Sequence, residues 1–327
     1  MDTLKKNRIL IATYPFGKSN REPLDILEAN GCELIFNPHA RRLKAGEVEE
    51  LIQDVDAVIA GTEPYMINAL KSANIKVISR VGIGLDNVPL KELKELGIMV
   101  TYTPDAPSQG VAELTLANII SLVRFVQLSD HSVRQLAWNR YIGYLLKEIK
   151  IGVIGIGRIG KILVKLLQPF NTNILACDIN PDLEFGRHYN LEWHEKESIL
   201  READLITVHI PYNQRNHHFI DRKAIASMKS SSFLVNTSRG NIVDEEALYD
   251  ALKQKHIEGA ALDVFAKEPY DGPLAGLENI ILTAHMGASA KESRYLMELG
   301  AAEDCIRVLK GEKPKHDAWE ENKADYE

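Results

Sequence analysis

Three residues late in the chain have side chains with complementary chemistry. Arg239 follows the apolar run 233–237, Glu268 comes just after the run 258–264, and His285 ends the run 279–284. Arginine grips a carboxylate through paired hydrogen bonds that lysine cannot reproduce. A glutamate beside a histidine favours the imidazolium, which can give its proton to an oxyanion. If hydride reached a carbonyl carbon, the oxygen would need that proton, and Arg239 would hold the neighbouring carboxylate. The set reads as a site where a 2-oxo acid is reduced to a 2-hydroxy acid, or the reverse. Singly, each residue could equally be a surface cation, a loop acid or a core histidine. Jointly, at the ends of consecutive strands, they point to one site.

The hydride carrier is legible upstream. In KIGVIGIGRIGK the glycines Gly155, Gly157 and Gly160 form a GxGxxG pattern between an apolar strand and a helical pattern. Gly155 serves the tight turn, Gly157 admits a pyrophosphate to the backbone, and Gly160 lets helix and strand pack closely. Free N–H groups and the helix dipole would hold the phosphates. Asp178 ends the next apolar run, where a carboxylate can bind both ribose hydroxyls and repel the extra phosphate of NADP. NAD is the expected cofactor.

The elements that must position these residues are strands alternating with helices. Strand-like runs lie at 8–13, 33–37, 56–61, 76–80 and 98–103, then at 149–155, 174–178, 205–210, 233–237, 258–264 and 279–284. Such alternation implies βαβ units and parallel sheets, with ligands beyond the carboxyl ends of the strands. There Thr237, Ser238 and Asp263 would also arrive. Between the two series the pattern predicts one long, very apolar helix over 111–129, buried between domains or subunits. A helix is expected near 289–310, and the charged tail 311–327 reads as largely solvated.

Composition narrows the class. The 327 residues suggest two domains, and the net charge of −7 disfavours nucleic acid. No apolar run reaches membrane-spanning length, and the N-terminus shows no signal-peptide pattern. Cys32, Cys177 and Cys305 are far apart, which fits a reducing, cytoplasmic location. Of the ten histidines only His217 and His218 are adjacent, in a polar stretch without further ligands, so no metal site is expected.

The segments VAELTLANIISLVR, IGVIGIGRIGK, LITVHIP, LVNTSRGNIVDEEAL, GAALDVFAKEP and TAHMGAS are specific together. Through them the chain resembles the D-isomer-specific 2-hydroxyacid dehydrogenases over nearly its whole length. The resemblance implies two doubly wound α/β domains with a cleft between them. A flavodoxin-like substrate domain would comprise 1–103 plus 290–327, and a Rossmann NAD-binding domain would be inserted over 104–289. It implies Arg239 as substrate-orienting arginine, Glu268 as the histidine's partner and His285 as acid/base. Arg158, Ile159, His209, Pro211, Thr237, Ser238, Asp263 and Gly287 join the glycines and Asp178 as cofactor contacts. It also implies a homodimer formed through the helix after Pro107. SRVGIGLDNV looks most like the phosphoglycerate dehydrogenases, where Arg80, Val81, Gly82, Ile83 and Gly84 would meet the substrate. Glu63 stands where those enzymes often offer an arginine to a phosphate, which argues against a phosphorylated substrate. Glyoxylate and hydroxypyruvate remain open as substrates, and so does a dinucleotide-sensing, corepressor-like role.

Overall fold

A computed structural model describes residues 6–322. The chain divides into two compact units, one built from the segments up to Pro107 and from Ala288 onward, the other from Ser108–Gly287. The partings fall at 107/108 and 287/288 rather than at 103/104 and 289/290. The segment after Thr103 stays with the first unit because Ala106 packs on its core and the Thr103 amide donates to the Gly82 carbonyl (3.0 Å).

The first unit is a parallel five-stranded sheet: β1 Arg8–Ile11, β2 Glu33–Phe36, β3 Ala57–Ala60, β4 Val77–Arg80 and β5 Met99–Thr101. Its order is β2-β1-β3-β4-β5, the flavodoxin-like arrangement, whose topological switch point lies between β1 and β3. β3 and β4 are buried along their length; β3 reads as a continuous apolar run, as expected of a parallel strand covered on both faces, while β4 ends on the buried polar pair Ser79 and Arg80. Helix Lys291–Leu309 returns to this sheet and buries Met297, Ala301, Ala302 and Cys305 in its core.

The second unit is a parallel seven-stranded sheet: β6 Lys150–Ile154, β7 Asn173–Cys177, β8 Glu192–Trp193, β9 Leu205–Val208, β10 Phe233–Asn236, β11 Gly259–Leu262 and β12 Ile280–Leu282. The order β12-β11-β10-β9-β6-β7-β8 contains the doubly wound 3-2-1-4-5-6 pattern. The pattern needs the short edge strand β8, which the sequence reading missed, and β12 is then a seventh strand. β8 is two residues long and one of them is exposed, so it carries almost no apolar signal.

One further expectation is corrected. The helix expected over 111–129 is two helices, Ser108–Val123 and Val126–Arg134, bent by 65°. The break falls at Phe125, which adopts a left-handed conformation with φ 52°. Ala112, Ile119, Leu122 and Val123 lie in the second unit's own core, so a subunit interface is not needed to account for the burial. No single helix among the described residues is long and apolar enough to cross a membrane. The tail, expected to be largely solvated, also makes specific contacts. Asp317 bridges Thr101 at the edge of β5, Ala318 is fully buried and Trp319 packs on the first unit's core. Its last five residues lie outside the described range.

Candidate active site

The phosphate loop forms at the switch point of the second sheet, where β6 and β9 diverge. Gly155 has φ +95°, and a Cβ there would stand 2.6 Å from the His209 carbonyl oxygen. A side chain on Gly160 would overlap the Gly155 carbonyl. Both positions therefore require glycine. Gly157 faces open space and caps helix Arg158–Leu167, whose first residue, Arg158, is exposed, while Ile159 packs on the core. Asp178 ties the loop down: one carboxylate oxygen accepts from the Ile156 amide (2.7 Å), the other from the Asn180 amide (2.8 Å).

Behind the loop, the His209 ring bonds Thr207 Oγ1 through Nε2 (3.0 Å), while Nδ1 is buried without a partner. Burial pushes its pKa down to about 4, which keeps the ring neutral. The Pro211 carbonyl accepts from Asn216 Nδ2 (2.9 Å). A glycine facing open space at the helix start, a ribose-height carboxylate and an orphaned ring nitrogen together fit a dinucleotide.

The strand ends β10, β11 and β12 carry the remaining groups. After β10, Asn236 organises the turn: its Oδ1 accepts from the Ser238 amide (3.0 Å) and hydroxyl (2.7 Å), and its Nδ2 donates to the Arg239 carbonyl (2.8 Å). The half-buried Arg239 then donates through Nη1 to the Ser238 carbonyl (2.7 Å). Thr237 is buried, its hydroxyl 2.8 Å from that of Thr115.

After β11, Asp263 is 1% exposed and its carboxylate accepts three hydrogen bonds from protein. Oδ1 accepts from Thr283 Oγ1 (2.6 Å) and the Met286 amide (2.8 Å), and Oδ2 accepts from the Gly287 amide (2.8 Å). The His285 amide donates to the Asp263 carbonyl (2.8 Å), and His285 itself has φ 49°. So Asp263 shapes the turn that turns His285 outward. The histidine is exposed, which excludes a core role.

His285 Nδ1 lies 2.8 Å from Glu268 Oε2. Burial alone would push the Glu268 carboxyl up. The His285 hydrogen bond and charge, the Phe265 amide and the Arg239 charge overcome that and hold it below the usual carboxylate range. Glu268 is itself held by the Phe265 amide on its Oε1 (3.1 Å). The second unit thus brings Glu268 and His285 into contact, with Arg239 close enough to act on the same carboxylate.

Sequence reasoning missed the supports: Thr115, Asn236, Thr283 and Glu245, whose Oε1 accepts from the Ala266 amide (2.6 Å). It also missed the need for Gly240, where a side chain would run into the backbone of Phe265 and Ala266. Only Asn236 had a visible signal, a polar residue closing an apolar strand directly before Thr-Ser-Arg.

In the first unit the loop after β4 folds on itself. The buried Arg80 donates to the Gly84 carbonyl through Nε (3.1 Å) and to the Val81 carbonyl through Nη1. The Val81 amide donates to the Ala60 carbonyl (2.9 Å) and the Gly82 amide to Thr103 Oγ1 (2.8 Å). Among the described residues, the amides of Ile83 and Gly84 have no acceptor. Glu63 is 1% exposed and turned inward, accepting from the Gly61 amide (2.8 Å) and the Tyr65 hydroxyl (2.5 Å). Its carboxylate is thus engaged by its own loop and does not point into solvent.

Residues 116–287 match the family model described as D-isomer specific 2-hydroxyacid dehydrogenase, NAD binding domain. A D-3-phosphoglycerate dehydrogenase of Methanocaldococcus jannaschii is 38% identical over 279 residues, covering 84% of this chain but only 53% of that protein's length. A glyoxylate reductase of Thermofilum pendens is 36% identical over 274 residues, covering 80% of this chain and 81% of the relative. Among solved structures, a Thermus thermophilus protein superposes with a TM-score of 0.84 at 29% identity, over 95% of this chain and 99% of that one.

Proposed function

The chain belongs to the D-isomer-specific 2-hydroxyacid dehydrogenase family and carries its NAD-binding domain, and from that premise we propose how its residues interconvert a D-2-hydroxy acid and its 2-oxo acid. The observation that carries the reading is the 2.8 Å contact between Glu268 and His285 at the outer end of β12. When bound, NADH supplies the hydride. Everything else falls to side chains and backbone. Because Nδ1 is engaged by Glu268, the proton transferred to the carbonyl oxygen leaves from Nε2 of His285. The anionic Glu268 stabilises the imidazolium in the reduction direction and holds the ring's orientation when the ring acts as base in the oxidation. Arg239 takes the substrate carboxylate. Within the first unit, the amides of Ile83 and Gly84 are donors of the kind that bind a carboxylate. Asp263 acts on the reaction only through the turn it braces. Asp178 selects the unphosphorylated ribose, favouring NAD over NADP.

Charge balance is simple: a 2-oxo acid, NADH and one proton give the 2-hydroxy acid and NAD. We further propose a homodimer and a cytoplasmic setting. Support for the dimer comes from the segment after the bent helix, where Leu136 is 97%, Ile142 93% and Trp138 75% exposed. So much apolar surface in one stretch is unusual for a monomer. The interface proposed is therefore this segment and not the helix before it.

The test is NADH consumption with a panel of 2-oxo acids, NADPH in parallel. Rapid loss of NADH with at least one oxo acid, and much slower loss of NADPH, is the expected result. NADH binding without turnover of any panel member would overturn the catalytic reading in favour of a sensor.

A further inference from the structure

We propose that the loop after β1, residues 12–18, reads the far end of the substrate, and that Lys18 binds an anionic group there: a second carboxylate or a phosphate. This inference rests on the dehydrogenase reading above and names a substrate class within it.

In open α/β sheets ligands gather at the carboxyl edge, at the switch point of strand order. In the first unit that point lies between β1 and β3. The loops leaving these strands touch there: a Cβ on Gly61 would stand 2.8 Å from Thr13 Oγ1. The next strand, β4, delivers the 80–84 loop to the same edge, and the Val81 amide donates back to the end of β3. A substrate whose carboxylate meets the Ile83 and Gly84 amides therefore has the 12–18 loop within the same strand-end row.

That loop is rigidly mounted. Glu298, 2% exposed, accepts from the Gly17 amide (2.8 Å) and from Arg294 Nε (2.6 Å). Arg294 in turn donates to the Pro15 carbonyl and to Thr13 Oγ1 (3.4 Å). Phe16 is buried in the core. On this frame two side chains stand out into solvent. Tyr14 is 41% exposed, and the Lys18 ammonium sits 2.7 Å from its hydroxyl and 4.4 Å from its ring centroid. Ring and hydroxyl fix the ammonium in place. Among the described residues no carboxylate lies within ion-pair distance of Lys18. Two acids near this edge are held by other groups: Glu298 by Arg294, and Glu63 by its own loop. A preorganised cation without a counter-ion, on a braced loop at a switch point, is the arrangement that recognises an anion.

The experiment compares the full-length wild type with Lys18→Met, using 2-oxoglutarate and phosphohydroxypyruvate as anion-tailed substrates and 2-oxobutyrate as a neutral one. The readout is the ratio of kcat/KM for each anion-tailed substrate over the neutral one. Wild type should favour an anion-tailed substrate, and Lys18→Met should lower that ratio roughly 10- to 100-fold, as loss of a hydrogen bond to a charged group predicts. Whichever of carboxylate or phosphate suffers the larger loss identifies the anion. Lys18→Arg should recover part of the preference, and raising the salt should erode it in wild type only. A ratio unchanged within about twofold in Lys18→Met would overturn the inference while leaving the dehydrogenase reading intact. If wild type turns over no 2-oxo acid, the dehydrogenase reading fails by itself. Calorimetric titration of 2-oxoglutarate into NADH-loaded protein then decides: binding weakened at least about tenfold in Lys18→Met supports the anion site, and equal binding refutes it.

Discussion

Replacing Asp263 by asparagine tests whether the turn behind His285 is what presents it. The exchange keeps shape and volume. The asparagine oxygen can stay on the side that takes Thr283 and Met286, which leaves its NH2 facing the Gly287 amide, now a donor opposed to a donor. Two hydrogen bonds fall from charged to neutral strength, about 1 kcal/mol each, and one buried donor loses its acceptor, about 1–3 kcal/mol. Relief of the buried charge offsets part of this. The net loss is about 3 kcal/mol in a site that is 1% exposed. For a unit of this size that lowers Tm by roughly 6–12 °C. Because His285 takes its backbone position from the same turn, kcat should fall about 10- to 100-fold, while NADH affinity, set at the β6–β9 switch point, is retained. Scanning calorimetry and steady-state kinetics on the same preparation provide the assay. A variant that melts with wild type and keeps its kcat would refute the reasoning, since the carboxylate would then be dispensable to the turn.

Three further outcomes follow from the same geometry. Gly160→Ala forces a side chain against the Gly155 carbonyl; it should cost about 1–3 kcal/mol of stability and weaken NADH binding at least about tenfold, checked by denaturant titration and NADH fluorescence. For His209, the folded ring titrates near 4 against an ordinary 6.5. As pH falls from about 6.5 towards 4, the unfolded chain therefore gains a proton that the folded chain refuses. Stability should drop across that window by as much as about 3 kcal/mol, and in His209→Asn the slope of stability against pH should flatten; an unchanged slope contradicts the burial argument. Arg239→Lys should raise KM for the oxo acid roughly 10- to 100-fold, and an unchanged KM would remove Arg239 from the carboxylate.

Much of this was legible in the sequence because parallel strands buried on both faces read as plain apolar runs. Eleven strands could be placed from such runs, each within a few residues of its observed span. The exception, β8, is a two-residue edge strand with no run to read. The break at Phe125 was invisible for a different reason: it falls on a left-handed φ that no glycine or proline marks. Types and spacing pointed to Glu268, His285 and Arg239, since strand ends converge in any doubly wound sheet. What the sequence could not reveal was direction. Asp263 looked like a group facing a ligand, yet its oxygens are taken by the His285 turn. Glu63 looked like a charge facing the substrate, yet it is buried and turned to Gly61 and Tyr65. Whether a carboxylate points outward or braces its own loop depends on a rotamer, and spacing carries no information about that.

The central claim is that His285 gives the proton through Nε2 while Glu268 holds Nδ1. Single-turnover oxidation of bound NADH by the best 2-oxo acid tests it most directly, comparing wild type with His285→Asn. The account predicts unchanged NADH affinity and a rate lowered about 10²- to 10⁴-fold, the range for losing a general acid. A His285→Asn protein that oxidises bound NADH at nearly the wild-type rate would contradict it.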